Sequence, residues 1–92
     1  MNNLDLYFKP WYRSLESDCG LIYCLSTCNN IVLAQIWKVE RTQPYWRWCI
    51  SIGRLVSGTC DTLEIGFAKV EDVIIRNHPK YSFIDSKLSA LI

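Results

Sequence analysis

Tyr45-Trp46-Arg47-Trp48-Cys49-Ile50-Ser51-Ile52, followed by Gly53-Arg54, decides the fold. Its side chains alternate. Trp46, Trp48, Ile50 and Ile52 share one face and Tyr45, Arg47, Cys49 and Ser51 the other, which is the two-residue period of a strand with one buried side. Gly53-Arg54 fits a two-residue type II′ turn with glycine where positive φ is needed. That predicts a hairpin pairing Ile52 with Leu55 and Ser51 with Val56, and a last strand from Leu55 to Thr59.

On the N-terminal side, Ile31 to Arg41 is a long run, apolar at its start and charged at its end. Val32, Ala34 and Ile36 share one face, and Leu33, Gln35, Trp37 and Val39 the other. Thr42-Gln43-Pro44 turns it into the Trp-Arg-Trp strand. Thr27-Cys28-Asn29-Asn30 joins it to Leu21–Ser26, a run too apolar to alternate and hence a mostly buried strand. Ser14 to Gly20 reads as a loop, and Leu4-Asp5-Leu6-Tyr7-Phe8 as an edge strand ended by Lys9-Pro10.

On the C-terminal side, Asp61-Thr62-Leu63-Glu64 reads as a helix start with Asp61 as N-cap and Glu64 reaching back to it. Leu63, Phe67, Val70 and Ile74 recur at helical spacing, and Asn77-His78-Pro79 stops the helix, with the asparagine in a left-handed position. Gly66 lies on the buried stripe and predicts a close approach of helix to sheet over an indole ring. Asp72 and Arg76 form an i, i+4 pair on the outer face. In the tail, Tyr81 and Phe83 mark a short strand or docking segment, and Asp85 or Ser86 opens a helical turn. The expected fold is α+β, an antiparallel sheet of four to five strands packed against one main helix.

Ninety-two residues, half of them hydrophobic, make a single domain spanning 1–92 that closes one core. A net charge of +1 gives weak long-range steering toward nucleic acid or an anionic membrane. No apolar run approaches the ~20 residues of a membrane span, and Met1 to Phe8 has no export pattern, so a cytoplasmic location and no membrane partner are expected. The odd count of five cysteines in such a chain favours reduced thiols. Cys24, Cys28, Cys49 and Cys60 match no common spacing of paired zinc ligands, so no metal and no cofactor are expected.

Catalytic chemistry finds little material. His78 is the sole histidine, at a helix stop, and would need to meet Cys60 or another thiol to form a nucleophile–base pair. The carboxylates are dispersed, and neither Gly53 nor Gly58 opens a helix as a phosphate-cradling loop requires. The expectation is a protein that is not an enzyme.

Two clusters interleave rings with cations: Lys9-Pro10-Trp11-Tyr12-Arg13 and Tyr45-Trp46-Arg47-Trp48. Rings on a sheet can stack bases while arginines meet phosphates, as in single-strand binders. Trp46 and Trp48 are better used as core. Trp11, Tyr12 and Arg13 are residue types that dominate protein interfaces, and burial and partner contact are equally open to them. With Arg47 and Arg54 they make up the expected partner-binding set. The Leu4–Phe8 edge is a place where a second copy could pair.

Residues 31–76 carry the order strand, turn, Trp-Arg-Trp strand, Gly-Arg turn, Ser57-Gly58-Thr59-Cys60-Asp61-Thr62-Leu63-Glu64, then an amphipathic helix. This resembles small phage and prophage accessory proteins that end a sheet with glycine and a Thr-Leu-Glu helix start. The order is also similar to antitoxins of the HicB type and to the arm-type DNA-binding domains of phage integrases. The chain departs from both in its extra N-terminal strands, its lack of a strong basic surface and Ile65-Gly66-Phe67 at the helix opening. What the resemblance implies is a phage-encoded inhibitor of the anti-CRISPR kind, occupying a host protein or ribonucleoprotein complex. A nucleic-acid-binding module or antitoxin is the alternative.

Overall fold

The computed structural model describes residues 4–14 and 22–83. Five antiparallel strands run as a meander, each beside the next: β2 (Tyr12–Arg13), β3 (Ile22–Ser26), β4 (Val32–Val39), β5 (Tyr45–Ile52) and β6 (Arg54–Cys60). One helix, α1 (Leu63–Asn77), packs on β4, β5 and β6. The fold is therefore α+β, as the alternation of β5 and the helical stripe require.

The core lies between α1 and the sheet. Leu25, Ala34, Ile36, Trp48 and Ile50 from the sheet close on Val70 and Ile74 from the helix, with Phe8 at one end. Leu63, Phe67, Trp46 and Ile52 pack against this cluster, so a single face of β5 supplies the core, as its alternation predicts. In β4 the alternation is broken. Leu25 pairs with Ala34 but Ser26 pairs with Val32, a bulge that leaves Leu33 extra. Leu33 consequently turns to the core and Val32 to solvent, the reverse of strict alternation. The β3–β4 turn closes with Asn30 N–H donating to Thr27 C=O at 2.8 Å, and Asn30 takes φ 64. Asn30, not Asn77, is the left-handed asparagine.

The β5–β6 hairpin differs from the expected turn by one residue. Gly53 alone forms the apex, with φ 67, and Ile52 pairs with Arg54, Ser51 with Leu55 and Ile50 with Val56. The slip brings Gly58 opposite Trp48. A Cβ on Gly58 would stand 2.4 Å from Trp48 Cζ2 and 2.7 Å from Cε2, so the indole lies across the glycine backbone. In the type II′ register Thr59 would face Trp48, and its side chain would occupy that space. Because a one-residue slip exchanges faces, Leu55 points away from α1 and is 68% exposed.

The helix starts one residue later than expected. Thr62, extended at φ −129, is the N-cap, and its hydroxyl accepts from Ile65 N–H at 3.2 Å. At the other end His78 N–H donates to Ile74 C=O at 2.7 Å, and Asp72 pairs with Arg76 at 2.9 Å. Gly66 does mark the close approach, since an added Cβ would stand 3.0 Å from Cys60 Sγ and 3.2 Å from Ile36 Cδ1. Its neighbours are a thiol and an isoleucine; the indole over a glycine is the one at Gly58.

The N-terminal edge strand is corrected. Leu4–Leu6 is a 3-10 turn, and β1 (Tyr7–Phe8) pairs in parallel with β7 (Ser82–Phe83). On its other side Lys9 N–H donates to Ser26 C=O and Cys28 N–H to Tyr7 C=O, each at 2.8 Å. Phe8 is fully buried and stacks on Tyr81 and Phe83 at 5.2 and 5.1 Å. Both sides of β1 are thus occupied, and the edges of the main sheet are β2 and β6. The helical turn expected after residue 84 lies outside the described residues, as does most of the 14–20 loop.

Candidate functional site

The sheet face opposite α1 is built by alternation and register. One cross-strand row holds Ile22, Trp37, Arg47 and Thr59, and the next holds Tyr12, Cys24, Gln35, Cys49 and Ser57. Ser51 and Leu55 lie toward one end, Val39 and Tyr45 toward the other. Arg47, Ser51, Leu55, Ser57 and Thr59 are exposed, while Gln35, Trp37, Tyr45 and Cys49 are half-buried. Arg47 is the single charged residue among these positions and has no ion-pair partner among the described residues.

Charge is sorted between the layers. Strands β2 to β6 contain Arg13, Lys38, Arg47 and Arg54 and no carboxylate. Residues 61–77 contain Asp61, Glu64, Glu71 and Asp72 against Lys69 and Arg76. A chain with a net charge of only +1 therefore has a basic sheet backed by an acidic helix layer.

The five expected contact residues do not converge. Tyr12 and Arg47 lie on the open face. Tyr12 is exposed, its hydroxyl 2.5 Å from Ser26 Oγ, with Lys9 Nζ 5.6 Å from its ring centroid. Arg13 is exposed on the β2 edge, in register with Tyr23, and Arg54 is exposed at the head of β6. Trp11 goes elsewhere: its ring sits 4.7 Å from that of Phe67, and its Nε1–H donates to the buried Glu71 at 3.0 Å. Trp37 and Leu55 belong to the face without having been singled out by sequence, whereas Tyr45 falls by alternation on the Arg47 face of its strand but stands outside the expected set. Alternation groups Trp37 with Leu33, Gln35 and Val39, but only the observed β4–β5 register sets it directly across from Arg47 on the open face.

The thiols are dispersed. Cys24 and Cys49 flank Gln35 on the open face, two strand spacings and about 9.6 Å apart at Cα, beyond the reach of a disulfide. Cys60 is on the helix side and Cys28 in the β3–β4 turn. Among the described residues no three His, Cys, Asp or Glu side chains group as metal ligands would. His78 and Cys60 lie at opposite ends of α1, since Cys60 abuts Gly66 and His78 caps the helix twelve residues on, about 18 Å at 1.5 Å per residue. Burial pushes the Cys49 and Cys60 thiols up; a hydrogen bond from the Gln35 backbone opposes this at Cys49, and the Asp61 charge adds to it at Cys60. A raised pKa lowers the thiolate fraction at neutral pH. Alkylation of both by iodoacetamide should be slower in the folded chain than in urea and should accelerate only above the pH at which an ordinary thiol ionises, as peptide mapping of the labelled protein would report.

No helix among the described residues is long and apolar enough to cross a membrane. No protein family, no curated protein and no solved structure matches the chain.

Proposed function

We propose that this chain is a non-enzymatic binding protein that meets a protein partner with the open face of its sheet, Trp37 and Arg47 at the centre and Tyr12 and Tyr45 flanking them. The observation that carries the reading is that set of aromatic and guanidinium groups on an accessible face that has no carboxylate among the described residues. Tryptophan, tyrosine and arginine are enriched among the few residues that dominate binding energy in protein interfaces: the rings bury large areas with few rotatable bonds to fix, and the guanidinium offers several directed hydrogen-bond donors. Arg47, the single charge on that face among the described residues, favours an acidic group on the partner.

In its specific form the proposal is a phage-encoded inhibitor that occupies a surface of a host defence complex in the host cytoplasm, which rests on the resemblance of residues 31–76 to phage accessory proteins. Purified CRISPR effector complexes are the first partners to try. Co-elution on size exclusion, weakened at least about 30-fold by Arg47→Ala, is the expected result, the loss that goes with a central interface arginine. Failure to co-elute with any effector complex removes the specific form. Undiminished binding by Arg47→Ala and Trp37→Ala removes the open face.

A single-stranded nucleic acid is the second reading, favoured by the absence of carboxylates from strands β2 to β6. In that case affinity for an unstructured oligonucleotide falls steeply with salt as counterions are released. A flat salt response eliminates it.

A further inference from the structure

The two edges of the sheet are unlike. β2 offers two residues after a proline, a short edge of the kind proteins use to avoid pairing, whereas β6 offers seven. Within β6 there is no lysine, no carboxylate, no proline and no bulge to discourage another strand, and its one charge, Arg54, stands at its first position. Leu55 and Val56 are both exposed there, on opposite faces of the strand. We propose that β6 pairs antiparallel with β6 of a second copy, joining two five-stranded sheets into one of ten strands.

The register follows from strand geometry. Every second residue of β6 turns its N–H and C=O away from β5, so residues paired across the new seam must both be outward-turned or both inward-turned. Their numbers then sum to an even value, and the two-fold axis passes beside a residue rather than between two. Only an axis beside Ser57 pairs all of Arg54–Cys60: Arg54 with Cys60, Leu55 with Thr59, Val56 with Gly58, and Ser57 with itself. Shifting the axis to Val56 or Gly58 leaves five paired residues instead of seven.

Two further features agree with that register. Val56 falls beside Gly58 of the second copy, a branched side chain against a position that has none. Arg54 arrives at the end of the opposing strand, next to Asp61 of the second copy. Arg54 and Asp61 are both exposed and neither has an ion-pair partner among the described residues, so the seam supplies opposite charges at both ends. Like charges meet nowhere along it.

Sedimentation velocity over a concentration series tests the pairing. Wild type should sediment as a dimer and Ser57→Lys as a folded monomer, because lysines directly across the axis repel. Arg54→Glu should weaken the dimer at least tenfold, and adding Asp61→Lys to it should restore most of the loss. The doubly substituted Leu55→Cys/Thr59→Cys should form a covalent dimer on oxidation, while either single substitution should not. Within one chain those two positions are about 13 Å apart and cannot bridge. A wild-type monomer at every concentration, a Ser57→Lys dimer, or failure of the double-cysteine chain to cross-link would each overturn the proposal.

Discussion

Gly58→Ala should destabilise the fold by about 3 kcal/mol, at the top of the range for overpacked cores, and lower the melting temperature by roughly 12–24 °C for a chain of this size. The added methyl would overlap Trp48 Cζ2 at 2.4 Å and Nε1 at 3.0 Å, where carbon atoms normally rest at about 3.5–4.0 Å. Neither side can easily give. The indole is buried among Ile36, Ile50 and Val70, and the backbone of β6 is tied to β5 by seven paired positions, two on one side of the contact and four on the other. Relief requires β6 to lift away from β5 or the ring to leave the core. Ordinarily alanine would be favoured over glycine in a strand by roughly 0.5–1 kcal/mol, so the sign of the change itself reports the contact.

The contact can be isolated with a second substitution. Trp48→Phe removes the outer ring that overlaps the new methyl, and Gly58→Ala should cost at least 1 kcal/mol less in that background, a coupling of the size expected for touching residues (about 0.5–3 kcal/mol). Trp48→Phe alone should be milder than its lost volume suggests. Trp48 Nε1 is buried with no acceptor among the described residues, and deleting an unsatisfied donor recovers part of a desolvation penalty of about 1–3 kcal/mol. Urea denaturation of the four chains completes the cycle. Equal losses for Gly58→Ala with tryptophan or phenylalanine at position 48 would mean that the indole is not what the glycine accommodates.

The same contact explains what could and could not be read from the sequence. β5 was legible because alternation over eight residues is a local signal, and α1 was legible because Leu63, Phe67, Val70 and Ile74 repeat at 3.6. The register of β6 was not, since Gly53-Arg54 satisfies the local rules of a two-residue turn and the deciding term is an indole that must find a glycine across the hairpin. The bulge at Leu33 and the parallel pairing of Tyr7–Phe8 with Ser82–Phe83 are invisible for the same reason, as long-range pairing leaves no periodicity in either segment. Misplacing β6 by one residue also hid Leu55 from the candidate site, and the unseen pairing with β7 left the Leu4–Phe8 segment as the suspected free edge. On the open face, the alternation of β5 is enough to place Arg47, but nothing local separates Tyr12 from Trp11, its neighbour by one residue and pointed the other way.

Trp11→Ala should therefore behave as a folding mutation, with a loss of about 3–4 kcal/mol. Removing a large aromatic costs ~3–5 kcal/mol when fully buried, and Trp11 is half-buried against Phe67. To this is added the loss of a donor to Glu71, which is fully buried on the helix stripe between Phe67 and Ile74, where a carboxyl oxygen deprived of a hydrogen bond is expensive. Trp11→Phe separates the two contributions: it keeps a ring on Phe67 but cannot donate, and should lose about 1–2 kcal/mol. If Trp11 instead served a partner, Trp11→Ala would melt like wild type and fail only in binding. The order Ala, then Phe, then wild type in urea midpoints is expected, while Tyr12→Ala, on the exposed face, should change binding with a smaller effect on stability. A loss of binding by Trp11→Ala would then trace to the docking of β2 against α1, since an edge strand released from Phe67 and Glu71 no longer presents Tyr12 and Arg13 where the sheet places them.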